Sequence, residues 1–532
     1  MNNVKLTVKN YRCFEDQTPV RVELGPGFCA FVGQNNSGKS TLVKLFYELR
    51  DLFSYIGPNG NLLGLLQGRD QGVNALGAYD QGDIFSNRNN RGIELQVDLS
   101  PNGSSKGSPI TRVRFLCSRS NPNNWRATFF HGSDCQKISS SEVQYSGFSV
   151  SEGRDFLHLN NSPIFDWTEL FHFTRSFVKS IYIGPFRNVL NQGSANYYDI
   201  QVGDQFVKLW HQWQAGNVTA QNIAISRVID DIRHIFGFKT LGITATPDGK
   251  TLHLTIDNHP HKLDQLGAGL TQFIVVLANA MVRAPDYILI DEPELNLHPA
   301  LQIDFLTTLA SYAQQGILFA THSLGLARSV AERIYTFQRK AGMVTVTPFE
   351  QTHNYPEFLG EMSFSGFKEL GFDQILLVEG VHDVKTAHQF LRKLGKDHQV
   401  VVLPLGGDQL ARGGVEIELA EMKRLSNNVF ALVDSERHSA SAPADAKREQ
   451  FRATCETLGF KVCITQRRAI ENYFSDQAIK KAKGQAYSAL SHYQALGEAP
   501  LAWDKSENWR IAREMDLSEV EATDVGNFFK SI

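Results

Sequence analysis

The residues most suited to chemistry form a segment near the start of the chain, Gly33–Ser40, with the sequence GQNNSGKS. It fits the phosphate-loop pattern G-x-x-x-x-G-K-[ST], follows an apolar run and precedes a stretch of helical character. In such a loop the backbone N–H groups surround phosphate, the lysine reaches the β- and γ-phosphates, and the last hydroxyl ligates Mg²⁺. The segment therefore predicts a site for ATP and Mg²⁺. The predicted nucleotide-binding residues are Gly33, Asn35, Asn36, Ser37, Gly38, Lys39, Ser40 and Thr41.

Acids that follow a later apolar run are the expected partners of this loop. The run Tyr287–Ile290 ends in Asp291 and Glu292. We expect Asp291 to hold Mg²⁺ together with Ser40, and Glu292 to orient or deprotonate the attacking water. His322 follows the next apolar run and is predicted to sense the γ-phosphate as a catalytic residue.

A second group of acids lies in the last third of the chain. Glu379 and Asp383 follow one apolar run, and Asp434 and Glu436 follow another. Sites in open α/β sheets lie at the carboxyl ends of parallel strands, so the four carboxylates are expected to converge. Such carboxylates repel unless cations bind, which predicts Mg²⁺, with Mn²⁺ as the alternative metal. Two ions roughly 3.5–4 Å apart would stabilise the attacking and leaving oxygens in phosphodiester cleavage.

The elements that must position these residues are α/β layers. A chain of 532 residues is too long for one hydrophobic core and predicts several domains. Apolar runs alternate with helical stretches around both groups of acids, and short alternating runs between about 55 and 165 predict antiparallel hairpins. An aromatic stripe with helical spacing predicts a packing face towards another domain or subunit. Its members are Phe206, Leu209, Trp210 and Trp213.

Composition narrows the class of protein. The net charge of −3 does not indicate a nucleic-acid partner, so DNA binding would need a local basic groove. No stretch approaches the roughly 18 consecutive apolar residues of a membrane helix, and the start has no apolar signal core. The six cysteines are scattered and without metal-ligand spacing, as expected of reduced thiols. These features predict a soluble, cytoplasmic protein with no membrane partner.

The motifs in the first two thirds of the chain resemble an ATP-binding-cassette (ABC) ATPase. The resemblance rests on the sequence DEPELNLHP after Tyr287–Ile290, with His322 downstream. The segment NYRCF at Asn10–Phe14 is typical of the RecF/SMC-like branch. Tyr182–Arg187 also resembles a strand-end motif of that branch, which implies that Arg187 approaches the nucleotide. In that family two ATPase heads sandwich ATP. The resemblance therefore implies a homo-oligomer of at least two chains.

In the same family a signature loop from one head caps the nucleotide bound to the other. The matching segment here is Leu263–Leu270, although Gln265 and Ala268 stand where Ser and Gly are common. The resemblance implies nucleotide contacts from Gly267 and Gly269.

The second group of acids resembles a TOPRIM domain, whose motif is Glu-Gly-x-x-Asp followed by Asp-x-Asp. Glu436 departs from that pattern. An ABC-type head followed by a TOPRIM domain resembles the overcoming-lysogenization-defect (OLD) family of nucleases. The implied fold class is α/β: an ABC-type P-loop head with inserted β-hairpins and a helical dimerisation segment, then a parallel-sheet TOPRIM domain. The predicted domains are 1–195 and 241–369 for the head, 196–240 for the helical segment and 370–532 for the TOPRIM domain with a helical extension.

The OLD resemblance implies two further residues. Glu471, in the segment RRAIENYF, matches an acidic element of the family and is a candidate metal ligand. Family nucleases also use a C-terminal basic residue near the scissile phosphate, for which we select Lys505, although spacing alone does not choose it over Arg510 or Arg513. The candidates for contacts to the DNA backbone, or for an ordinary solvated face, are Arg467, Arg468, Lys480, Lys481 and Lys483.

The sequence thus predicts an ATPase coupled to a two-metal, Mg²⁺-dependent DNA endonuclease. Family context implies anti-phage defence, in which such nucleases act alone or beside partners such as the reverse transcriptase of a retron. Two alternatives stay open. One is a TOPRIM primase or topoisomerase, and the other is an ATP-driven DNA clamp or repair ATPase that does not cleave.

Overall fold

The computed structural model describes residues 3–532, except for 57–61, 79, 101–106, 139–146, 152–153, 160–161, 186–195, 341, 350–373, 398, 406–418 and 420–427. The chain divides into two compact units. Unit 1 contains Met1–His298, Thr308–Ser323 and Arg333–Tyr355, and unit 2 contains Pro299–Thr307, Leu324–Glu332 and Pro356–Ile532. The domain boundary predicted near 370 lies outside the described residues, and the other predicted limits stay predictions. No described helix is long and apolar enough to span a bilayer.

Unit 1 is built from strands and helices in mixed order. Its strands are β1 (Val4–Lys9), β2 (Val20–Leu24), β3 (Gly27–Gly33), β4 (Gln71–Gly72), β5 (Ile93–Leu99), β6 (Ser108–Cys117), β7 (Asn124–His131), β8 (Gln136–Lys137), β9 (Gly147–Ser151), β10 (Arg154–Leu159), β11 (Ser162–Asp166), β12 (Ile181–Ile183), β13 (Asn196–Tyr197), β14 (Ile200–Gln201), β15 (Leu241–Ala245), β16 (Leu252–Ile256), β17 (His259–Lys262), β18 (Tyr287–Asp291), β19 (Gly316–Thr321), β20 (Arg333–Lys340) and β21 (Met343–Pro348). Its helices are α1 (Lys39–Glu48), α2 (Arg50–Ser54), α3 (Leu62–Leu66), α4 (Thr168–Val178), α5 (Gly203–Ala215), α6 (Thr219–Ile235) and α7 (Ala268–Arg283).

A six-stranded sheet carries the predicted nucleotide-binding residues. Its order is β12-β18-β19-β3-β20-β21, and all neighbouring strands are parallel except β20 and β21. The strands β18 and β19 are buried along their whole length, as expected of parallel strands covered on both faces. Because β18, β19 and β3 lie side by side in one direction, their carboxyl ends bring Asp291, Thr321 and Gly33 to the same edge of the sheet.

The hairpins predicted between 55 and 165 belong to a ten-stranded sheet of mainly antiparallel strands. In β5 buried and half-buried residues alternate, so one face of this sheet packs on the core. Side chains of α1, such as Leu42 and Phe46, share that core with Leu6 and Leu95 of this sheet and with Phe31 of the six-stranded sheet. The helix that follows the phosphate loop is therefore packed against side chains from both sheets.

The segment predicted to be helical, 196–240, contains α5 and α6, and its aromatic stripe is buried within its own chain. Phe206 is 1% exposed, Trp210 0% and Trp213 7%. The ring of Phe206 lies 5.9 Å from that of Trp210 and 6.1 Å from that of Trp213. The interpretation of the stripe as a contact between subunits is therefore wrong for these three residues, because helical periodicity indicates a packing face but not which chain covers it. Leu209 is half-buried.

Unit 2 contains a parallel sheet of β22 (Gln374–Val378), β23 (Val400–Pro404), β24 (Asn428–Val433) and β25 (Lys461–Ile464), in which β22 and β24 match the two apolar runs that precede the second group of acids. Its order is β23-β22-β24-β25, with every neighbour parallel. The chain therefore reverses its direction of travel across the sheet between β22 and β24, which is where open α/β sheets place their sites. The helix α8 (Pro299–Tyr312) begins in unit 2 and ends in unit 1, and the other elements of unit 2 are α9 (Leu324–Val330), β22 (Gln374–Val378), α10 (Val381–Lys393), β23 (Val400–Pro404), β24 (Asn428–Val433), α11 (Ala446–Thr457), β25 (Lys461–Ile464), α12 (Asp476–Lys483), α13 (Asn508–Glu514), α14 (Leu517–Glu521) and α15 (Asp524–Ser531).

Candidate active sites of the two units

The phosphate loop connects β3 to α1, the context that its sequence predicts. Gly38 has φ 100° and precedes α1, which begins at Lys39. A side chain at Gly38 would meet the Sγ atom of Cys13 at 2.9 Å, and one at Gly33 would meet the carbonyl oxygen of Phe337 at 2.2 Å. The loop can therefore follow this path only with glycine at both ends. Asn35, Asn36 and Ser40 are exposed, and Ser37 is buried.

The segment Asn10–Phe14 is fastened to α1 beside this loop. The guanidinium of Arg12 contacts Oε1 of Glu48 at 2.6 Å, and the Tyr11 hydroxyl also contacts the Glu48 carboxylate, which is fully buried. Burial, and then the charge of Glu48, raise the pKa of Tyr11 well above its usual value. These contacts explain why an aromatic and a basic residue stand side by side in the NYRCF motif.

Lys39 is the first residue of α1, and its ammonium group is turned back onto backbone oxygens of the loop. Its Nζ atom donates to the carbonyl of Gly33 at 2.8 Å and to that of Gln34 at 2.7 Å. Burial lowers the pKa of Lys39 to about 8, although the charges of Asp291 and Glu292 oppose the shift. The lysine is thus already held where the oxygens of a phosphate group could replace the carbonyls as acceptors.

Ser40 and Asp291 meet at the edge of the sheet. The Ser40 hydroxyl donates a hydrogen bond of 2.9 Å to Oδ1 of Asp291. Burial raises the pKa of Asp291 to about 6, and the hydrogen bond from Ser40 opposes that shift. A hydroxyl and a carboxylate beside a phosphate loop form the donor set that Mg²⁺ accepts with a bound nucleotide, so these residues fit the predicted metal.

Glu292 and His322 face each other at the tips of neighbouring strands. Oε1 of Glu292 lies 3.3 Å from Nε2 of His322, and the same nitrogen lies 3.5 Å from Nζ of Lys39. Glu292 has φ 51°, a conformation that costs energy for a residue with a side chain and that is common at functional sites. The structure therefore brings both predicted catalytic residues next to the phosphate loop.

Glu294 belongs to this group although the motif analysis gave it no role. Its Oε1 atom accepts hydrogen bonds from the Thr321 hydroxyl at 2.7 Å and from the backbone N–H of His322 at 2.8 Å. The available signal was the last acid of the Asp-Glu-Pro-Glu sequence. Only the adjacency of β18 and β19 shows what that acid contacts.

The predicted signature loop lies at the N-terminus of α7. Gly267 precedes the helix and is exposed, and a Cβ atom there would meet no atom of the described part of the chain within 4 Å. A side chain at Gly269 would instead lie 3.0 Å from the carbonyl oxygen of Asn296 in the same chain. The role of both glycines at a second subunit stays a prediction, and Arg187 lies outside the described residues.

In unit 2, three of the predicted acids line one small pocket at the switch point of the sheet. Glu379, Asp383 and Asp434 form part of its wall, with apolar side chains around them. Oε1 of Glu379 accepts a 3.2 Å hydrogen bond from the backbone N–H of Asp434, while Arg448 pairs with the Glu379 carboxylate at 3.1 Å. Oδ1 of Asp434 accepts a 2.9 Å hydrogen bond from the N–H of Ile470.

The acids of this pocket hold protons more tightly than acids in water. Burial, and then the charge of Glu471, raise the pKa of Asp383 to about 7. The same two causes, in the same order, raise the pKa of Asp434 well above its usual value, and burial also raises that of Glu379. Carboxylates that are both buried and mutually repelling gain the most from a bound cation.

Glu471 and Lys505 lie beside these acids. The Lys505 ammonium is 3.1 Å from Oε1 of Glu471, which also accepts a 3.0 Å hydrogen bond from the Asn508 amide. Partial burial lowers the pKa of Lys505, but the charges of Glu471 and Asp434 raise it by a larger amount. The pKa of Lys505 therefore lies above its usual value. Lys505 is thus the basic candidate whose ammonium contacts this group.

Glu436 is close enough to raise the pKa of Glu379, but its carboxylate pairs with Arg468 at 2.7 Å and its φ is 53°. Glu436, which departs from the Asp-x-Asp pattern, is therefore paired with an arginine.

The hard oxygen donors of the pocket suit Mg²⁺ or Mn²⁺. Among the described residues, no group of three or more His, Cys, Asp or Glu side chains has the geometry to hold a metal ion. The metal stays a prediction.

The basic residues proposed for DNA contacts have partners within the chain. Arg467 donates to the carbonyl of Asn472 and lies over the Tyr473 ring. The lysines of α12 are paired with acids. The pairs are Lys480 with Asp476, Lys481 with Glu514 and Lys483 with Glu507.

Comparisons with known proteins agree with this geometry for unit 1. A family model described as "AAA domain, putative AbiEii toxin, Type IV TA system" matches residues 28–328, and one described as "AAA domain" matches residues 5–46. A curated relative, the "Probable amino-acid ABC transporter ATP-binding protein" of Haemophilus influenzae, is 39% identical over 72 residues, which are 13% of this chain and 28% of the relative.

Similar solved structures include two SMC heads. The SMC head domain from Thermotoga maritima is 13% identical with a TM-score of 0.34, and the alignment covers 65% of this chain and 99% of that one. The Smc head with an extended coiled coil from Pyrococcus furiosus, bound to the C-terminal domain of ScpA, is 11% identical with a TM-score of 0.35, covering 65% and 95%.

Proposed function

Since this chain belongs to the AAA-domain family whose model spans residues 28–328 and is an ATPase of that class, we propose that it hydrolyses ATP with the residues gathered around Lys39. The observation that carries the proposal is the 2.9 Å hydrogen bond from Ser40 to Asp291, which joins the phosphate loop to the acid of β18. A loop for phosphate and an acid for its metal are the two parts that phosphoryl transfer requires.

The roles of the residues follow from their positions. Lys39 exchanges its carbonyl acceptors for phosphate oxygens and offsets their charge. Ser40 and Asp291 would hold Mg²⁺, which supplies further positive charge at the transferred group. Glu292 would orient or deprotonate the attacking water, and His322, whose Nε2 lies 3.3 Å from Oε1 of Glu292, would sense the γ-phosphate.

ATP turnover by three variants tests this mechanism. Lys39→Ala is expected to lose ATP binding, whereas Glu292→Gln is expected to bind ATP and hydrolyse it at least ~100-fold more slowly. Lys250→Ala, in an exposed turn between β15 and β16, is the matched control and should behave like the parent. Unaltered nucleotide affinity in Lys39→Ala would remove the phosphate-loop assignment.

We propose further that unit 2 is a metal-dependent DNA endonuclease of the OLD type with a TOPRIM fold. The supporting observation is the pocket that Glu379, Asp383 and Asp434 share at the switch point between β22 and β24. These acids, with Glu471 and Glu436 beside them, would hold Mg²⁺ or Mn²⁺. Bound ions would stabilise charge on the phosphodiester, and Lys505 would bind the scissile phosphate.

The biological part of the proposal is an anti-phage effector that contacts the DNA backbone and works as a homo-oligomer, alone or beside a partner such as a retron reverse transcriptase. The exposed N-terminus of α7 at Gly267 supports the homo-oligomer, because a phosphate of the nucleotide bound to a second subunit could reach it. We expect this activity in the cytoplasm.

Incubation of the full chain with supercoiled plasmid, Mg²⁺ and ATP separates the candidate activities. Nicked or linear products support the endonuclease. Relaxation without nicks would indicate a topoisomerase instead. Retention of intact plasmid alone would indicate an ATP-driven clamp, and primer synthesis from nucleoside triphosphates would indicate a primase.

A further inference from the structure

We propose that Glu294 is a positioning residue for ATP hydrolysis, which holds His322 in place by hydrogen bonds to the end of β19. The proposal deepens the ATPase mechanism above and rests on it. Glu294 follows β18 by three residues, and β18 is the direct neighbour of β19 in the sheet. Glu294 therefore stands beside the end of β19, within reach of its last residue.

The contact uses a single carboxylate oxygen. Oε1 of Glu294 accepts both the Thr321 hydroxyl at 2.7 Å and the His322 backbone N–H at 2.8 Å. Thr321 in turn accepts a 2.9 Å hydrogen bond from the N–H of Ser323, so the last residue of β19 and the two residues after it are joined by these contacts.

What this contact controls is the place of the His322 ring. The backbone N–H of His322 is fixed by Glu294, and the ring nitrogen Nε2 then lies 3.3 Å from Glu292 and 3.5 Å from Lys39. A displacement of about 1 Å at such a group can cost ~100-fold in rate. Loss of the hydrogen bonds should therefore slow hydrolysis without lowering the affinity of the phosphate loop for ATP.

A second way in which Glu294 could act is through its charge alone. Its carboxylate is among the groups that raise the pKa of Lys39 and of Asp291. Two substitutions separate the two roles. Glu294→Gln keeps an acceptor oxygen at the same reach and loses the charge, whereas Glu294→Asp keeps the charge and falls one methylene short of β19.

The experiment measures single-turnover hydrolysis and ATP affinity in the full chain. We expect Glu294→Gln to keep the rate within about 3-fold of the parent and Glu294→Asp to lose at least ~10-fold, with ATP affinity within about 3-fold in both. In a His322→Ala background, Glu294→Asp should cost less than about 2-fold, since Glu294 acts through that histidine.

Three results would overturn the proposal. They are parent-like turnover in Glu294→Asp, an equal loss of rate in Glu294→Gln, or rate losses of Glu294→Asp and His322→Ala that are fully additive.

A second variant, Thr321→Val, tests the proposal if Glu294→Asp does not fold, because it removes one of the two donors and leaves Glu294 intact. Its rate should fall at unchanged ATP affinity, and an unchanged rate contradicts the proposal. Because every variant is compared with an active parent, a failure here is distinguishable from an absence of ATPase activity.

Discussion

The hydroxyl of Ser40 and the carboxylate of Asp291 are joined by a 2.9 Å hydrogen bond, although 251 residues separate them in the chain. The bond exists because β3 and β18 flank β19 in one parallel sheet, so that the loop after one strand meets the acid at the end of another. The order of the strands therefore brings the two oxygens together.

Ser40→Ala should weaken the binding of Mg²⁺ more than the binding of ATP. The change removes a metal ligand and leaves Asp291 without its donor, so the Mg²⁺ concentration that half-saturates hydrolysis should rise ~10-fold or more. ATP binding in EDTA should change less than about 3-fold, since the loop backbone is intact. Ser54→Ala, at the exposed end of α2, serves as control. A parent-like Mg²⁺ titration would show that Ser40 is not a ligand.

ATP affinity should depend on pH through Lys39. Burial lowers the pKa of this lysine to about 8, so its ammonium form, which binds phosphate, is complete below that pH and is lost above it. The dissociation constant should be flat at lower pH and rise by up to ~10-fold per unit above about pH 8, until the pKa of the complex is reached. Lys39→Arg stays charged and should show no such rise. Titrations with a fluorescent nucleotide on both sides of pH 8 measure the dissociation constant. A dissociation constant that does not change with pH in the parent protein would contradict the prediction.

Glu379→Gln should abolish plasmid cleavage while sparing the ATPase. The amide cannot replace a carboxylate as a charged metal ligand, so cleavage should fall at least ~100-fold. ATP hydrolysis should stay within about 2-fold, because no part of the site around Lys39 is altered. Glu449→Gln on α11, one residue from Arg448, is the matched control. If Glu379→Gln cleaved like the parent, the acid pocket would not be the nuclease.

Much of this framework could be predicted from the residues themselves. The runs Ile375–Val378 and Val429–Val433 predicted strands because uninterrupted apolar residues ending in acids suit a sheet buried on both faces, and β22 and β24 confirm them. The strand and helix around Gly33–Ser40 followed from the same reasoning.

What could not be predicted depends on contacts between distant segments. The periodicity of Phe206 and Trp210 indicated a buried face, but the same pattern suits a subunit contact and an internal one. Glu294 needed the adjacency of β18 and β19, which no local pattern contains. Nor does the sequence around Pro299–Thr307 signal that these residues belong to unit 2.

Unit 2 should become more stable as pH falls. The pKa of Asp383 is raised from 3.8 to about 7, so the native state binds a proton that the unfolded state releases between these values. The free energy of unfolding is therefore highest at the acidic end of this window and declines as pH rises. Above about pH 7 the native state carries the full cost of the ionised, buried carboxylate.

Asp383→Asn should remove much of this penalty, since its amide oxygen can still accept the N–H of Gly380. We expect a gain on the order of 2 kcal/mol in unfolding free energy near pH 8.5 and less than about half of that gain near pH 5. Urea unfolding followed by circular dichroism measures it. Glu456→Gln, an exposed acid on α11, should show no comparable gain. An equal effect of Asp383→Asn at both pH values would exclude the titration of this carboxyl as the cause.

The final prediction concerns the signature loop, whose geometry permits a clean experiment. Among the described residues, no atom lies within 4 Å of a Cβ built at Gly267, whereas one at Gly269 would lie 3.0 Å from the carbonyl oxygen of Asn296. Gly267→Arg should therefore fold normally and obstruct only a partner that approaches the N-terminus of α7. If that partner is the nucleotide bound near Lys39 of a second chain, Gly267→Arg and Lys39→Ala each disable the ATPase, but through opposite halves of a shared site.

Mixing the two inactive variants distinguishes shared from self-contained sites. A mixed pair combines the intact loop around Lys39 from one chain with the intact Gly267 from the other, so one of its two sites is whole. With equal subunits and random pairing, roughly a quarter of the parent ATPase should return, because about half of the pairs are mixed and each has one working site. The nucleotide control of plasmid cutting should return with it. Mixtures that stay inactive after verified subunit exchange, or a Gly267→Arg protein with parent-like turnover, would show that each chain completes its own site.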